Sequence, residues 1–151
     1  MLIKKAKRFQ RPLDTAGLTQ GRSGANVYGC ILVENEYLAI EMMQEYIHTH
    51  ENLLLLGTAQ TLAELRHLTI KLKPEIIFLD LIIPSGGYTD FDYGMLPDHA
   101  TVVVVSGIPL VLYDKKHLLK NPIELPKPVS HESFNNCVER VIKERKREAC
   151  R

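Results

Sequence analysis

Short apolar runs alternate with amphipathic segments along most of this chain. Because the runs are short and the intervening segments have helical periodicity, the pattern predicts a parallel sheet that is covered by helices on both faces. Five runs are predicted to be strands: Ile31–Val33, Leu53–Leu56, Ile76–Asp80, Val102–Val105 and Ile123–Leu125. The fourth run is entirely β-branched, as expected for a strand that is buried on both sides.

Apolar residues recur at helical spacing between and after these runs. Residues 37–49 predict one amphipathic helix, and a second begins at the capping-box pair Thr61 and Glu64 and ends before Pro74. A final helix begins after Ser130 and continues to about residue 147. Glycine and proline crowd the region around 88–96, so any helix there is predicted to be short, and 110–120 is weakly helical.

Length and composition suit one globular domain, since the chain has 151 residues of which 45% are hydrophobic. We expect residues 30–142 to form this domain, preceded by a mobile or loosely packed extension at 1–29. Residues 143–151 form a basic C-terminal tail that continues the last helix. The absence of a long apolar run or secretory signal predicts a cytoplasmic protein. Its three cysteines then predict reduced thiols rather than disulfides or a zinc site.

The net charge of +1 conceals an uneven distribution. Residues 1–29 contain six Lys or Arg against one Asp, and residues 143–151 contain five against two Glu, so the body between them is acidic. Basic ends are typical of contacts with nucleic acid or a partner, but also of solvated termini, and we favour the second interpretation.

Polar side chains follow four of the predicted strands. Asp80, Ser106 and Lys127 end or follow the third, fourth and fifth strands, and the acidic cluster at 34–36 follows the first. Each residue alone has an ordinary structural explanation, such as a helix cap or a turn. Because the carboxyl ends of parallel strands meet at one edge of a sheet, we expect all of them to converge there.

In this arrangement the sequence resembles the receiver domain of two-component response regulators. The resemblance runs from about Cys30 to Ile142 and rests on four segments in order: Val33-Glu34-Asn35-Glu36, Phe78-Leu79-Asp80 with Pro84, Val105-Ser106-Gly107, and Lys127-Pro128. The sequences of the first two segments are most similar to those of receivers of LytTR-type regulators. The resemblance implies a flavodoxin-like, doubly wound α/β/α fold with five parallel strands in the order 2-1-3-4-5.

The resemblance also implies a role for each matching residue. Asp80 would accept a phosphoryl group, Ser106 would be the switch hydroxyl that bonds it, and Lys127 would pair with it. The implied Mg²⁺ ligands are Glu34, Asn35, Asp80 and the backbone carbonyl of Ile82. Phosphoryl transfer depends on such positioning and charge neutralisation.

Four departures from the family pattern bear on this function. Glu34-Asn35 replaces a pair of aspartates, so we expect Mg²⁺ to bind weakly, since one ligand charge is lost. Glu124 replaces the aromatic residue that reports phosphorylation in the family. The segment between the phospho-acceptor and the switch hydroxyl is short, so its helix is predicted to be truncated. Ile82 and Ile108 are apolar where the family has polar residues that position the hydrolytic water.

We therefore expect a phospho-accepting receiver domain of a phosphorelay rather than an enzyme, one that at most assists its own phosphorylation and dephosphorylation. The expected partners are a sensor histidine kinase or phosphotransfer protein, and a second copy of the chain through the face of helix four, strand five and helix five. We expect neither membrane nor direct nucleic-acid binding. A pseudo-receiver that is not phosphorylated is the alternative. A phosphatase of the haloacid dehalogenase type is disfavoured because Ile82 occupies the place of its second aspartate.

Overall fold

One five-stranded parallel sheet organises the part of the chain that the computed structural model describes, which comprises residues 26–87, 93–113 and 119–151. Its strands are β1 (Tyr28–Val33), β2 (Leu53–Ala59), β3 (Ile76–Leu79), β4 (Thr101–Ser106) and β5 (Ile123–Pro126). They pair in the order β2-β1-β3-β4-β5, all parallel. The predicted flavodoxin-like fold and strand order are therefore confirmed.

Two long helices cover one face of this sheet. They are α1 (Tyr37–Thr49) and α3 (His131–Ala149), which begin and end within two residues of their predicted bounds. Their apolar faces bury Met43, Ile47 and Phe134 against the strands, and each of these side chains is at most 2% exposed. The ring of Phe134 lies 5.5 Å from that of Phe78 on the central strand β3. This face thus has the helix-on-sheet packing that the periodicity predicts.

The opposite face is covered by one helix, α2 (Leu62–Leu72), together with irregular segments. The short helix expected around 88–96 is a three-residue 3-10 turn, Tyr93–Met95, while 88–92 lie outside the described residues. The prediction that the weak helix extends over 110–120 is wrong. A 3-10 turn at Leu110–Leu112 gives way to extended backbone at Tyr113, and residues 119–121 are not helical. Asn121, with a positive φ of 44°, leads the chain into β5.

Local signals at the element ends behave as the sequence predicts. The Thr61 hydroxyl accepts the Glu64 amide at 3.2 Å, and the Ser130 hydroxyl accepts that of Ser133 at 3.0 Å.

The first strand begins earlier than predicted, at Tyr28, so residues 28 and 29 belong to the sheet. The other residues of the expected extension, apart from 26 and 27, lie outside the described part of the chain.

All three cysteines are free thiols, and two of them, Cys30 and Cys137, are buried. Burial raises the pKa of the Cys30 thiol to about 12 and that of the Cys137 thiol to about 11. Among the helices of the described ranges, none is both long enough and apolar enough to cross a membrane.

One residue of the expected basic tail is part of the folded domain. Arg145 lies on the last turns of α3, and its side chain is only 17% exposed. Its Nη1 donates to the Glu75 carbonyl at 2.9 Å, the His99 carbonyl at 2.9 Å and the Thr101 hydroxyl at 3.0 Å. Its guanidinium also lies 5.7 Å from the centre of the Tyr28 ring. Arg145 therefore joins α3 to the starts of β1, β3 and β4.

Candidate functional site

The carboxylate of Asp80 lies at the carboxyl end of the central strand, where the sequence predicts it. Its backbone N–H still donates to the Val33 carbonyl at 2.9 Å, so the sheet fixes its position. The residue is 7% exposed, and each carboxylate oxygen accepts a hydrogen bond. Oδ1 accepts the Ile82 amide at 2.9 Å, and Oδ2 accepts Lys127 Nζ at 2.9 Å. Asp80 is thus a nearly buried anion with a defined cation beside it.

Glu34 directs its side chain into the site, whereas the next two residues are exposed. Glu34 is only 2% exposed, and its Oε2 accepts Lys127 Nζ at 2.7 Å. Its Oε1 accepts the backbone amides of Asn35 and Glu36, both at 3.1 Å. The carboxylate therefore shapes the loop that leads into α1 while it contacts the lysine across the sheet edge.

Lys127 bridges the two carboxylates. Its side chain is 27% exposed. Lys127 directly follows β5, and its backbone N–H donates to the Ser106 carbonyl at 2.9 Å, which fixes its position beside β4. Burial lowers the pKa of Lys127, but the hydrogen bonds to Glu34 and Asp80 outweigh this effect and hold its pKa above the ordinary value. The ammonium is consequently charged at neutral pH.

The loop after β4 is held by two side-chain contacts. The Ser106 hydroxyl accepts the Ile108 amide at 3.0 Å, a bond that does not use the hydroxyl proton. Further along, the Leu110 amide donates to Glu124 Oε1 at 2.7 Å. Ser106, Lys127 and Glu124 line one pocket of about 130 Å³. In place of the aromatic reporter, this chain therefore has a carboxylate that binds the backbone of the loop.

Two tyrosines near the site are a feature that the sequence does not predict. Tyr113 donates a hydrogen bond from its hydroxyl to that of Tyr93 at 3.3 Å, and Tyr93 is 8% exposed. Burial raises the pKa of Tyr93, and the hydrogen bond and the charge of Asp80 add to this effect. Tyr93 lies in the glycine- and proline-rich segment, where no periodic pattern marks a residue as buried.

The rim of the site is apolar at the two positions where the family has polar residues. Ile82 is 61% exposed and Ile108 is 42% exposed, although isoleucine is usually buried. These side chains offer no group that could hold a water molecule by hydrogen bonding.

The structure brings together part of the donor set that the resemblance assigns to Mg²⁺. Glu34 and Asp80 come together, and each of their four oxygens accepts at least one N–H donor. Asn35 is exposed and neutral. Within the described ranges, no group of three or more His, Cys, Asp and Glu side chains could hold a metal ion. Mg²⁺ usually keeps several waters and takes only one or two carboxylates from a protein, so Glu34 and Asp80 are the residues that would hold it.

Comparisons with known proteins identify the fold. No protein-family model matches the chain, and no curated protein matches it by sequence. Solved structures do match. A signal receiver domain of a modulated diguanylate cyclase from Desulfovibrio desulfuricans G20 has a TM-score of 0.67 and 18% identity, over 82% of this chain and 99% of that one.

Two further receiver structures are similar over their whole length. A CheY-like response regulator receiver domain from Methylobacillus flagellatus has a TM-score of 0.61 and 18% identity, covering 77% of this chain and 99% of that one. The response regulatory domain of mrkE from Klebsiella pneumoniae has a TM-score of 0.64 and 18% identity, with coverages of 79% and 98%. The chain therefore has the receiver-domain fold that its strand-end motifs predict.

Proposed function

We propose that this chain is a phospho-accepting receiver domain, in which Asp80 takes a phosphoryl group from a phosphohistidine of a sensor histidine kinase or phosphotransfer protein. The observation that carries the proposal is the contact of Asp80 Oδ2 with Lys127 Nζ at 2.9 Å, on a carboxylate that three strand ends hold at one sheet edge. The fold that the chain shares with receiver domains supports this assignment.

The chemistry follows from the positions of the donors. An oxygen of Asp80 attacks the phosphorus, a P–O bond forms, and the P–N bond of the phosphohistidine breaks with its electron pair remaining on the imidazole. Lys127 then pairs with the transferred phosphoryl group, and Ser106 donates its hydroxyl proton to one of its oxygens. Catalysis of this kind needs positioning and charge neutralisation rather than covalent participation by other groups. The domain acts as an acceptor and not as an enzyme with a separate substrate.

Signal output would occur through changed protein–protein contacts. The loop from Ser106 to Leu110 ends in an exposed apolar surface, since Val111 is 68% and Leu112 is 69% exposed. Rearrangement at Ser106 would change this surface, which adjoins β5 and is where a partner or a second copy of the chain would bind. Neither a membrane nor nucleic acid is required for this output.

Phosphorylation is tested by incubating the protein with Mg²⁺ and acetyl phosphate and measuring its intact mass. We expect a gain of about 80 Da, the mass of one phosphoryl group, in wild type and not in Asp80→Asn. Asp98→Asn removes an exposed aspartate and serves as the matched control, which must still gain the adduct. An unmodified wild type, or an adduct that persists in Asp80→Asn, would contradict the proposal.

A pseudo-receiver is the second candidate, and one observation favours it. The carboxylates of Glu34 and Asp80 have all their oxygens engaged by donors, so the site is internally satisfied without a phosphoryl group. A pseudo-receiver would bind its partner equally well as wild type and as Asp80→Asn. A phospho-receiver would bind it differently after acetyl phosphate treatment, and Asp80→Asn would abolish that difference.

A further inference from the structure

We propose that Glu124 holds the turn after β4 in a resting position and thereby opposes phosphorylation of Asp80. The inference rests on the function proposed above and adds an inhibitory contact to that same site. The contact itself belongs to the unphosphorylated protein, so its presence can be measured without any phosphoryl group.

The strand β5 directs Glu124 away from α1 and α3. Its neighbours Ile123 and Leu125 are 3% and 2% exposed and belong to the core beneath those helices. Because successive side chains of a strand point to opposite faces, Glu124 lies on the other face, beside its pairing partner Val104 on β4. The chain after β4 forms the short turn Leu110–Leu112 there, and Glu124 is exposed. Its carboxylate can therefore reach the backbone of that turn.

The turn that Glu124 binds is a compact unit. The Leu112 amide donates to the Pro109 carbonyl at 2.9 Å, and the Tyr113 amide donates to the Leu110 carbonyl at 3.0 Å. These bonds do not use the Leu110 amide, which needs an acceptor from outside the turn. Glu124 Oε1 accepts it at 2.7 Å, a short distance that is typical of a charged acceptor. The contact thus fixes the position of the whole turn against β5.

A second contact fixes the same segment to the phosphorylation site. The Ser106 hydroxyl accepts the Ile108 amide at 3.0 Å. Between these two residues, a Cβ added to Gly107 would meet no atom within 4 Å, so the backbone has open space there. If the Ser106 hydroxyl turns toward a phosphoryl group on Asp80, Ile108 loses its acceptor and the segment is free to move at Gly107. The Glu124 contact opposes that movement.

The charge of Glu124 acts in the same direction. Ser106, Lys127 and Glu124 line one pocket of about 130 Å³. A phosphoryl group that is bonded by Ser106 and Lys127 adds negative charge near a carboxylate that is already there. Like charges at short range raise the free energy of the phosphorylated form. Both the hydrogen bond and the charge of Glu124 therefore favour the unphosphorylated protein.

Removal of this contact should make the phosphorylated state easier to reach. A contact that stabilises only the resting form lowers the affinity for a phosphoryl mimic such as beryllofluoride, and its loss must raise that affinity. Glu124→Ala loses both the hydrogen bond and the charge. Glu124→Gln loses the charge but keeps a carbonyl oxygen that can accept the Leu110 amide. We expect the affinity to rise from wild type to Glu124→Gln to Glu124→Ala, by at least about threefold in total.

The test measures two quantities on the same proteins. Hydrogen exchange of the Leu110 amide reports whether Glu124 holds the turn, and calorimetric titration with beryllofluoride and Mg²⁺ reports the affinity of the site. The amide should exchange at least about tenfold faster in Glu124→Ala than in wild type. Glu45→Ala removes an exposed carboxylate on α1 and is the matched control, which should behave as wild type in both measurements. Asp80→Asn should not bind the mimic.

The outcomes separate an inhibitory contact from a structural one. An affinity of Glu124→Ala for beryllofluoride that equals or falls below that of wild type would overturn the inference, and so would unchanged exchange of the Leu110 amide. A residue that only supports the fold would lower the affinity when it is lost. If Glu124→Ala does not fold, Glu124→Gln decides instead, since tighter binding supports the inference and equal or weaker binding overturns it.

Failure of the proposed function gives a different pattern. In that case wild type and all the Glu124 variants bind no beryllofluoride and gain no mass adduct at Asp80. Opposition to phosphorylation then fails together with the function, although the exchange rates still show whether Glu124 holds the turn. A mass adduct on wild type, together with unchanged beryllofluoride affinity in Glu124→Ala, supports the function and refutes the inference.

Discussion

Substitution of Arg145 by methionine should destabilise the whole domain, although the residue lies in a stretch that looks like a solvated basic tail. Methionine keeps much of the side-chain volume but removes three hydrogen bonds of 2.9 to 3.0 Å and the contact with the Tyr28 ring. The acceptors are the Glu75 carbonyl just before β3, the His99 carbonyl just before β4 and the Thr101 hydroxyl at the start of β4. The loss should therefore loosen α3 from the sheet and reduce the global free energy of unfolding.

The magnitude follows from these contacts. A hydrogen bond from a charged donor contributes about 1.5–3 kcal/mol. Three bonds from one guanidinium are not additive, and water can reach the freed carbonyls in part, so we expect a net loss of about 2–4 kcal/mol. For a domain of this size, that corresponds to a fall in the unfolding midpoint of about 4–16 °C.

The assay is urea or thermal unfolding, with Arg140→Met as the matched control. Arg140 forms an exposed pair with Glu144 on the same helix, with side chains 64% and 43% exposed, so its loss should cost about 0.5 kcal/mol or less. Arg145→Lys keeps the charge but not the planar fork, and should recover only part of the stability. A loss in Arg145→Met within 0.5 kcal/mol of that in the control would refute the reasoning.

Three more outcomes follow from the structure. Because the pKa of Lys127 is raised on folding, its stabilisation is complete below its unfolded pKa of about 10.4 and is lost as pH rises through the folded pKa. The stability difference between wild type and Lys127→Met should thus be constant at neutral pH and shrink above roughly pH 10.4; a difference that grows there would contradict this. Cys150 should be the cysteine that a thiol reagent modifies in the native protein, since the other two are buried, and rapid modification of three thiols without denaturant would be inconsistent with the core. Gly86→Ala should cost about 1–3 kcal/mol more than Gly87→Ala in urea unfolding, because both have positive φ but only at Gly86 would a Cβ lie 2.7 Å from another side chain; equal losses would show that the clash is relieved.

The location of the site could be predicted because it depends on backbone order. Asp80, Ser106 and Lys127 each follow an apolar run. Parallel strands bring the positions after such runs to one edge of the sheet, regardless of which side chains they carry. The strand order itself came from the resemblance rather than from periodicity. Caps at Thr61 and Ser130 could be predicted for a similar reason, since the interacting groups are three residues apart.

Contacts between distant side chains could not be predicted in the same way. Lys127 and Glu34 are 93 residues apart, and nothing in the pattern shows that Glu34 points inward while its two successors point to solvent. Arg145 looked like one of several basic residues at the end of an amphipathic helix, because its acceptors are two backbone carbonyls and one hydroxyl that lie 44 to 70 residues away. The irregular segments that cover one sheet face include Tyr93 and Tyr113, and they show no hydrophobic periodicity that would identify buried residues.

Two departures from the family pattern, Glu34 and Glu124, are connected through the residues that match it. Lys127 contacts Glu34 and Asp80 with its side chain and donates its backbone N–H to the Ser106 carbonyl. Ser106 in turn holds the loop after β4, whose Leu110 amide is bound by Glu124 on the same strand that leads to Lys127. A phosphoryl group on Asp80 would bind the Lys127 ammonium and the Ser106 hydroxyl, and both residues belong to this network of contacts. A change at Ser106 would reach the Glu124 contact through the loop that both residues hold.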